Sequence, residues 1–360
     1  MKNIKYLHIM HNEKFIVQYI EFINKNFKKD ENFFLIIGGF SKKEILWKKY
    51  DNTLYLEEKK EKNKILKIWK ILKRILMMNK VCKVSTKIYF HSLFSKDRIL
   101  FLFIFRKYFR NSNWIIWGGD LYCYNERKKG ILENIYYKIE NYVKGNFKGY
   151  ITLMKGEYRL TQKWYGARGK FLKSFTYPSN LYKEIVLTNQ AKEYLVIQVG
   201  NSATFSNNHF EIFEKLKKHK NKNIRIYCPL SYGDKEYAKK VIERGNELFG
   251  EKFIPMTEFL EYSKYLEFLS SIDIAIFAHD RQQAFGNITS LLSMKKTIYI
   301  KETISTYETL IELGINVKSF DKFDELEIFD IELLENNKNI IKENFSEKIL
   351  KEQWENIFKN

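Results

Sequence analysis

Short apolar runs alternate along the chain with longer segments whose apolar positions recur at helical spacing. In the first half the short runs are KYLHIM, FFLIIGG, KIYFH, NWIIWGG and GYITLM. They are often bounded by glycine, as buried parallel strands are. Amphipathic segments such as Phe15–Phe27 and Ile65–Met78 lie between them. This alternation predicts βαβ units, in which helices cover both faces of a parallel sheet.

The same cycle starts again after the polar stretch at residues 183–192. A new first strand, EYLVIQVG, is followed by RIYCPL, KFIPM, DIAIF and TIYIK. We therefore predict two doubly wound domains, at residues 1–180 and 181–340, joined near residues 178–192. Two such domains would face a cleft at the carboxyl ends of their strands, where ligands of open α/β sheets bind.

Residues 341–360 are predicted to contain a final helix, whose apolar positions are Ile349, Trp354, Ile357 and Phe358. This helix either packs back on the N-terminal domain or simply ends the second domain. The pattern alone leaves both possibilities open.

Composition identifies a globular protein, since 45% of the residues are hydrophobic and only three are proline. The net charge of +20 favours a polyanionic partner, such as nucleic acid, anionic lipid or a phosphorylated substrate. Part of the excess is equally explained as solvated surface. Cys82, Cys123 and Cys228 lack the spacing of a zinc site or a disulfide framework, which predicts reduced cysteines in the cytoplasm.

No segment resembles a signal peptide or a transmembrane helix. The most apolar run, Ile99–Phe105, is much shorter than the ~20 residues needed to span a bilayer. Residues 59–80 form a basic amphipathic stretch in which Leu66, Trp69, Leu72 and Leu76 follow helical spacing. The stretch fits a helix on an anionic membrane surface, and it fits equally a core-facing helix with solvated lysines.

The first candidate for chemistry is WIIWGGDLY, residues 114–122. Gly118 and Gly119 follow a predicted strand, and they would let a ligand approach the backbone. Asp120 would then accept a hydrogen bond from a substrate hydroxyl or act as general base, with Tyr122 lining the pocket. The alternative is a turn in which Asp120 caps the next element.

Two further candidates lie in the second half. In QVGNSATFSNNH a strand ends at Gly200, and Asn201 and Ser202 follow, with Ser206 at a predicted helix start whose N–H groups would suit a pyrophosphate. In HDRQQAFGN, a cation and two amides precede Gly286 at another helix start. Ordinary polar loops would explain both stretches as well.

Three acid–base candidates complete the set. Glu157 follows a strand in MKGEYRL, where it is either a substrate contact or a first-turn residue favoured by the helix dipole. His8 and His11 are expected to flank the end of the first strand, and either would titrate near neutral pH. A satisfied structural histidine is the alternative for each.

In their order and spacing, these motifs resemble a family. It comprises the bacterial TDP-N-acetylfucosamine:lipid II N-acetylfucosaminyltransferases of enterobacterial common antigen synthesis. WIIWGGDLY is similar to that family's WGADLY segment, VGNSATFSNNH to its VGNS loop, and IFAHDRQQAFGN to its ARQQG segment. PLSYGDKEYAKKVIERGNELFG also matches the family in spacing and residue type, and the N-terminal hundred residues match least.

The resemblance implies an α/β GT-B glycosyltransferase with two Rossmann-like domains. The implied donor-binding residues are Gly200, Asn201, Ser202, Asn207, Arg281, Gln282, Gln283, Gly286 and Asn287. The implied acceptor-side residues are Trp117, Gly118, Gly119, Tyr122 and Glu157. The catalytic candidates are Asp120 and His11.

The resemblance also implies partners. The donor would be a nucleoside-diphosphate sugar, TDP-linked in this family, and the acceptor an undecaprenyl-diphosphate-linked glycan. The enzyme would act peripherally at the cytoplasmic face of the bacterial inner membrane, in cell-surface polysaccharide synthesis. No cofactor or metal is expected, since helix dipoles and cationic side chains stabilise the departing diphosphate in such enzymes.

Departures from the family pattern leave the transferred sugar open. Gly119 replaces an alanine, and His279 and Asp280 replace more apolar residues. If the anomeric configuration inverts, Asp120 is the preferred general base, with His11 second; if it is retained, Asp120 positions the acceptor. The two alternative functions are a basic nucleic-acid-binding protein and a nucleotide-sugar epimerase of the same architecture. The sequence contains no recognisable nucleic-acid-binding module, which counts against the first.

Overall fold

Two parallel sheets contain all the apolar runs that were predicted to be strands. The computed structural model describes residues 3–13, 15–39, 50–57, 62–185 and 192–360, except the side chain of Tyr262. The chain divides into a first unit, Met1–Ser179 with Glu347–Asn360, and a second unit, Asn180–Ser346. Residues 186–191 of the predicted linker and residues 59–61 of the basic stretch lie outside the described part.

In the described residues, the first unit contains a seven-stranded sheet with every neighbouring pair parallel. Its strands are β1 (Ile4–His11), β2 (Asn32–Gly38), β3 (Thr53–Glu57), β4 (Ser85–His91), β5 (Ser112–Ile115), β6 (Gly149–Thr152) and β7 (Lys170–Lys173). Its helices are α1 (Ile16–Asn26), α2 (Lys64–Cys82), α3 (Lys96–Ile104), α4 (Gly119–Tyr122), α5 (Ile131–Gly145) and α6 (Lys155–Tyr165). The strand order, β3-β2-β1-β4-β5-β6-β7, reverses direction between β1 and β4.

The second unit repeats this plan with six described parallel strands. They are β8 (Leu195–Val199), β9 (Ile224–Pro229), β10 (Phe253–Met256), β11 (Ile274–Phe277), β12 (Thr297–Ile300) and β13 (Lys318–Ser319). The helices are α7 (His209–Leu216), α8 (Lys235–Phe249), α9 (Tyr262–Ser271), α10 (Phe285–Ser293), α11 (Ser305–Glu312) and α12 (Ile331–Asn344). The order β10-β9-β8-β11-β12-β13 reverses between β8 and β11.

The last helix, α13 (Glu347–Lys359), belongs to the first unit. Its buried face contains Leu350, Trp354, Ile357 and Phe358, whereas Ile349 is only half-buried. The Phe358 ring stacks on Tyr6 of β1 at 4.0 Å, and Trp354 Nε1 donates to the Thr176 carbonyl at 3.1 Å. The structural division falls between residues 346 and 347, so part of the predicted final segment at 341–360 belongs to α12 of the second unit.

The pattern of apolar runs did not predict three strands at the edges of the sheets. All ten apolar runs are strands, but β3, β7 and β13 were not predicted. Each of these lies at an edge of its sheet and is partly exposed, so its sequence is not a continuous apolar run. Central strands covered by helices on both faces must be apolar throughout, which makes them easy to recognise.

Candidate active site

The two polar loops predicted to bind the donor lie side by side in the second unit. One follows β8 and the other follows β11, the two strands between which the strand order reverses. Backbone contacts join them, because the Gly200 N–H donates to the Ile276 carbonyl and the Asp280 N–H to the Ser206 carbonyl. Open α/β sheets bind ligands in the crevice at such a switch point. We refer to residues 200–208 and 278–284 as the switch loops.

Side chains fix the switch loops to each other. Gln283 accepts a hydrogen bond from Ser206 Oγ at 2.7 Å, and it donates to Asn201 Oδ1 at 3.2 Å. Asn201 Nδ2 in turn donates to Tyr232 OH at 2.8 Å, and Asn207 Oδ1 accepts from the Asn201 N–H at 2.9 Å. Asn201 and Asn207 are buried, as is Ser202. These predicted donor-binding residues therefore shape the loops, and their side chains already have partners within the protein.

A pair of buried histidines lies under the loops. His279 Nε2 is 3.2 Å from Asn207 Oδ1, and His209 Nδ1 is 3.1 Å from Tyr237 OH. Burial lowers the pKa of His279 to about 3 and that of His209 to about 4, so both are neutral at pH 7. Gly200 has φ +64°, and a Cβ there would be 2.8 Å from both Asn207 Oδ1 and His209 Nε2. Only glycine fits this turn.

The groups left available lie at the start of α10. Within the described residues, the half-buried side chains of Arg281 and Gln282 make no hydrogen bond. Ala284 turns the chain into α10 with φ +59°, and the first N–H groups of that helix are the ones without intrahelical partners. A Cβ on Gly286 would meet only Asn180 Oδ1, at 3.8 Å, so the backbone there is accessible. A cation beside a helix N-terminus suits an anionic ligand.

Asp120 in the first unit is in the opposite situation, because its carboxylate is completely buried. Oδ2 accepts hydrogen bonds from the Leu93 N–H at 2.8 Å and from Trp114 Nε1 at 2.7 Å. Oδ1 accepts from the Trp117 N–H at 2.9 Å. The carboxylate thus ties the loop after β4 to the loop after β5. This geometry favours a structural role for Asp120 over direct contact with a substrate.

Charged groups behind Asp120 strengthen this arrangement. Lys144 Nζ, fully buried, donates to the Asp120 carbonyl at 2.6 Å and to Glu140 Oε1 at 2.7 Å. Arg127 donates to the other oxygen of Glu140 at 2.8 Å. Burial raises the pKa of Asp120, although Lys144 and the three donors act against that rise. A raised pKa alone would suggest a general base. The three hydrogen bonds to this carboxylate instead explain its presence as a structural group.

A row of hydrogen-bonding side chains runs inward from Trp117. Trp117 Nε1 donates to Tyr177 OH at 2.6 Å, Tyr177 OH lies 2.7 Å from His91 Nδ1, and His91 Nε2 lies 3.2 Å from His8 Nδ1. His8 Nε2 is 3.2 Å from Asn32 Oδ1, which can only accept, so His8 carries its proton on Nε2. Neutral His8 therefore accepts at Nδ1, where Tyr19 OH, at 3.1 Å, and His91 Nε2, at 3.2 Å, both lie within hydrogen-bond distance.

The position of His8 corrects the sequence-based expectation. His8 does not flank the end of the first strand but lies within β1, fully buried, and burial lowers its pKa to about 3. Histidine at this place is structural because it faces α1 and α13, where Tyr19 and Trp354 surround it. His11 does end β1, where it is half-buried.

The surroundings of Trp117 define the carboxyl edge of the first sheet. Phe15, just after β1, packs on Trp117 at 5.0 Å between ring centroids, and Phe94, just after β4, lies at 6.3 Å. Gly118 has φ +79°, as a glycine-specific turn requires. A Cβ on Gly119 would be 2.7 Å from the Phe94 ring, so Gly119 admits that ring and not a ligand.

The remaining acceptor-side candidates are buried. Glu157 lies in the first turn of α6, and its Oε2 accepts from Thr152 Oγ1 at 2.6 Å. Tyr122 packs edge-on against Trp164 at 5.9 Å. Both contribute to the packing of the first unit, whereas the half-buried Trp117 and His11 remain at its edge.

The sequence reasoning missed several groups that organise these loops. Tyr232 contacts the predicted donor residue Asn201 through a side-chain hydrogen bond, and Tyr265 lies near the predicted donor residue Asn287. Tyr177 and Lys144 fix the loops of the first unit. The tyrosine of PLSYGD was within a recognised motif and offered a signal. The other three lie far from the motifs along the chain, and no local pattern marks them.

The described residues contain neither a cluster suited to a metal ion nor a helix suited to span a membrane. No group of three or more His, Cys, Asp or Glu side chains there is arranged to hold a metal ion. None of the helices in the described ranges is both long and apolar enough to cross a membrane.

Comparison with solved structures shows the fold. A glycosyltransferase from Rickettsia africae has 15% identity and a TM-score of 0.65, over 99% of this chain and 98% of that one. Anabaena Alr3699/HepE, solved with UDP and glucose, has 10% identity and a TM-score of 0.66, over 99% and 100% of the two chains. The lipopolysaccharide outer core galactosyltransferase WaaB has 10% identity and a TM-score of 0.67, over 98% and 99%. The predicted GT-B fold is confirmed.

The family comparison agrees with the motifs. The sequence model of the 4-alpha-L-fucosyltransferase family, glycosyl transferase group 56, matches residues 63–359. This range includes the Asp120 loop and both switch loops, but it leaves out β1 and the half-buried His11. With a GT-B fold and a match over most of its length, this chain is a glycosyltransferase and belongs to the 4-alpha-L-fucosyltransferase family, group 56.

Proposed function

We propose that the protein transfers a deoxy-acetamido sugar from a nucleoside-diphosphate donor, TDP-linked, to an undecaprenyl-diphosphate-linked glycan. The reaction belongs to cell-surface polysaccharide synthesis of the enterobacterial common antigen type. It takes place at the cytoplasmic face of the inner membrane, to which the enzyme is peripherally attached. Family membership supports the sugar-transfer chemistry, and the motif resemblance supports this choice of donor and acceptor.

The observation that carries the donor site is the contrast within the switch loops. Gln283, Asn201 and Asn207 hold the loops in place, while Arg281 and Gln282 have no hydrogen-bonding partner in the described structure. The accessible backbone at Gly286 and the first N–H groups of α10 lie next to them. A diphosphate bound there would be stabilised by the helix dipole and by the Arg281 guanidinium, as the leaving group of sugar transfer requires.

On the acceptor side, we assign different tasks to the two catalytic candidates. His11 ends β1 beside the switch point of the first sheet, and its half-buried imidazole is the better placed of the two to take a proton from an acceptor hydroxyl. Asp120 positions the two loops that carry Trp117 and Phe94. If the reaction retains configuration, neither residue is needed as a base.

Nucleotide binding tests the donor site. A nucleotide present at about 100 times its dissociation constant should stabilise the protein by ~2.7 kcal/mol, which thermal unfolding detects. We expect this with TDP, and we expect Arg281→Ala and Gly286→Ala each to weaken TDP binding about tenfold. Loss of the guanidinium removes a charge-assisted contact, and the new methyl group occupies the space beside the helix start.

Arg244→Ala is the matched control for the loss of a cation, because Arg244 forms ion pairs with Glu214 and Glu247 on the surface of α8 and α7. It should leave TDP binding unchanged. A protein stabilised by duplex DNA but by no nucleotide would contradict the proposal. A protein that converts its donor sugar without any acceptor would instead be an epimerase.

A further inference from the structure

Two helices of the first unit expose an unusual amount of apolar surface. Trp69 on α2 is 62% exposed, and Ile131 on α5 is 81% exposed. Apart from Tyr142 near the end of α5, the exposed large apolar residues of these helices are Ile65, Leu66, Ile68, Trp69, Leu72 and Leu76 on α2, and Ile131, Leu132 and Ile135 on α5. We call these nine residues the projecting surface. They contradict the core-facing interpretation for the N-terminal part of α2, whose packing against the core begins at Ile71.

Both helices project beyond the carboxyl edge of the first sheet. Each ends shortly before a strand begins, α2 before β4 and α5 before β6, so each runs back along the sheet and starts at its carboxyl edge. Helix α3 packs between them. Arg74 pairs with Asp97 in the first turn of α3 at 2.6 Å, so the ten residues of α2 before Arg74 extend about 15 Å past that turn.

The same reasoning applies to α5. Lys96 Nζ, at the start of α3, lies 4.8 Å from the centroid of the Tyr136 ring, so residues 131–135 extend past it by more than one turn. Phe94, 54% exposed, lies in the loop that leads from β4 into α3. Its ring also contacts Trp117, which connects the projecting surface with the residues at the edge of the sheet.

The charge of α2 indicates what covers this surface. The helix contains six basic residues, Lys64, Lys67, Lys70, Lys73, Arg74 and Lys80, and no acidic residue. On a helical wheel the six exposed apolar residues lie on one side, with Lys73 beside Trp69, and Lys64, Lys67 and Lys70 lie on the other. An apolar side with an exposed tryptophan and a lysine-rich opposite side is the pattern of a helix that lies in the interface of an anionic membrane.

We propose that the projecting surface inserts into the headgroup region of an anionic lipid bilayer and that this contact brings the carboxyl edge of the first sheet to the membrane. Resting on the proposed function, this places the diphosphate of the lipid-linked acceptor next to His11 and Trp117 while the lipid stays in the bilayer. Two separate helix ends and Phe94 make contact at three points, which fixes the orientation of the first unit on the membrane.

Vesicle flotation without any sugar substrate tests the surface independently of catalysis. The full-length protein is mixed with vesicles of phosphatidylcholine, with or without phosphatidylglycerol. We expect flotation only with the anionic vesicles. The variant Leu66→Ser/Trp69→Ser/Leu72→Ser and the variant Ile131→Ser/Leu132→Ser/Ile135→Ser should each reduce vesicle binding at least about tenfold. Lys67→Gln and Lys70→Gln should reduce it about fivefold each.

A matched control is available in the second unit, where Phe259→Ser/Ile328→Ser/Ile331→Ser removes three exposed apolar side chains from other surfaces. This control should float like the unchanged protein. All substituted side chains are exposed, so folding should be preserved, and TDP-induced stabilisation of every variant verifies both folding and the donor site.

Three results would overturn the proposal: no flotation of the unchanged protein, equal flotation of all variants, or dimers that dissociate in the α2 variant while vesicles are not bound. The third would assign the surface to a second copy of the chain. Because flotation needs no donor and TDP stabilisation needs no membrane, failure of the membrane contact is distinguishable from failure of the proposed function.

Discussion

The loop after β5 and the loops after β8 and β11 look alike in sequence but use their polar residues in opposite ways. Each follows a buried parallel strand and combines glycine with hydrogen-bonding side chains. In the first, the Asp120 carboxylate accepts hydrogen bonds from three donors of the protein. In the second, Gln283 and Asn207 form hydrogen bonds that hold the loops in place, and the side chains of Arg281 and Gln282 remain available to a ligand. A polar motif therefore indicates a binding site only when some of its side chains are not already hydrogen-bonded within the protein.

The topology explains the difference. The loops after β8 and β11 flank the point where the strand order of the second sheet reverses, so the helices diverge and leave a crevice. The corresponding reversal in the first sheet lies between β1 and β4. The Asp120 loop follows β5, one strand away from it, where Phe94 and Trp117 pack over the chain.

Acidification should produce the largest effect, because both regions rest on buried neutral histidines. These are His8 and His91 in the first unit and His209 and His279 in the second, and burial lowers the pKa of each. The unfolded chain binds protons near the ordinary pKa of 6.5 and the folded chain does not, so stability is full above that value and falls below it.

Two histidines in a unit should remove ~3 kcal/mol from its free energy of unfolding per pH unit, or about 4 kcal/mol between pH 6.5 and about pH 5. Urea unfolding across this range measures the slope. His279→Gln should reduce the slope of the second unit only. An unchanged slope in that variant would contradict the assignment of a neutral His279.

The next largest effect is expected for Asp120→Asn. An amide cannot accept at both ends, so at least one of the three buried donors loses its partner and meets a second donor. We expect a loss of about 3 kcal/mol in the free energy of unfolding, measured by urea denaturation. Asp280→Asn is the control and should change stability little, because Asp280 is exposed and an amide oxygen at this position can still accept from Asn208 Nδ2.

This variant also decides the role of Asp120. A variant with unchanged stability and no transferase activity would restore Asp120 as a general base. Reduced stability together with residual activity at low temperature would confirm the structural role.

The smallest effect distinguishes the tightly packed turn at Gly200 from an open glycine. Gly200→Ala combines a left-handed backbone with a Cβ that collides with Asn207 and His209, whereas Gly250→Ala has the same φ sign but nothing within 4 Å. We expect Gly200→Ala to cost about 2 kcal/mol more than Gly250→Ala in thermal unfolding. If both variants lose the same stability, the loop at Gly200 must shift to admit the new Cβ, and the switch loops are then not rigid.

The central architecture was predictable from the sequence, whereas the sites were predictable only in part. Buried strands were recognisable because helices cover both faces, while β3, β7 and β13 were missed because edge strands are half solvated. The switch-loop residues, which the family resemblance assigned to one donor site, lie next to one another in the structure. Their division into structural and available groups was not predictable, since Gln282 and Gln283 differ only in what lies opposite them.

The sequence by itself determined the two βα cycles and the basic amphipathic character of α2, because each depends on local spacing and residue type. The resemblance of its motifs indicated the family, and through the family the GT-B fold. Tertiary structure alone decided that Asp120 is enclosed, that His8 lies inside the sheet and that the apolar side of α2 faces outward. These facts depend on strand order and on partners far away in the chain. The physical reason is that the burial and hydrogen bonding of a side chain depend on the residues packed around it. A motif of a few residues does not specify those neighbours.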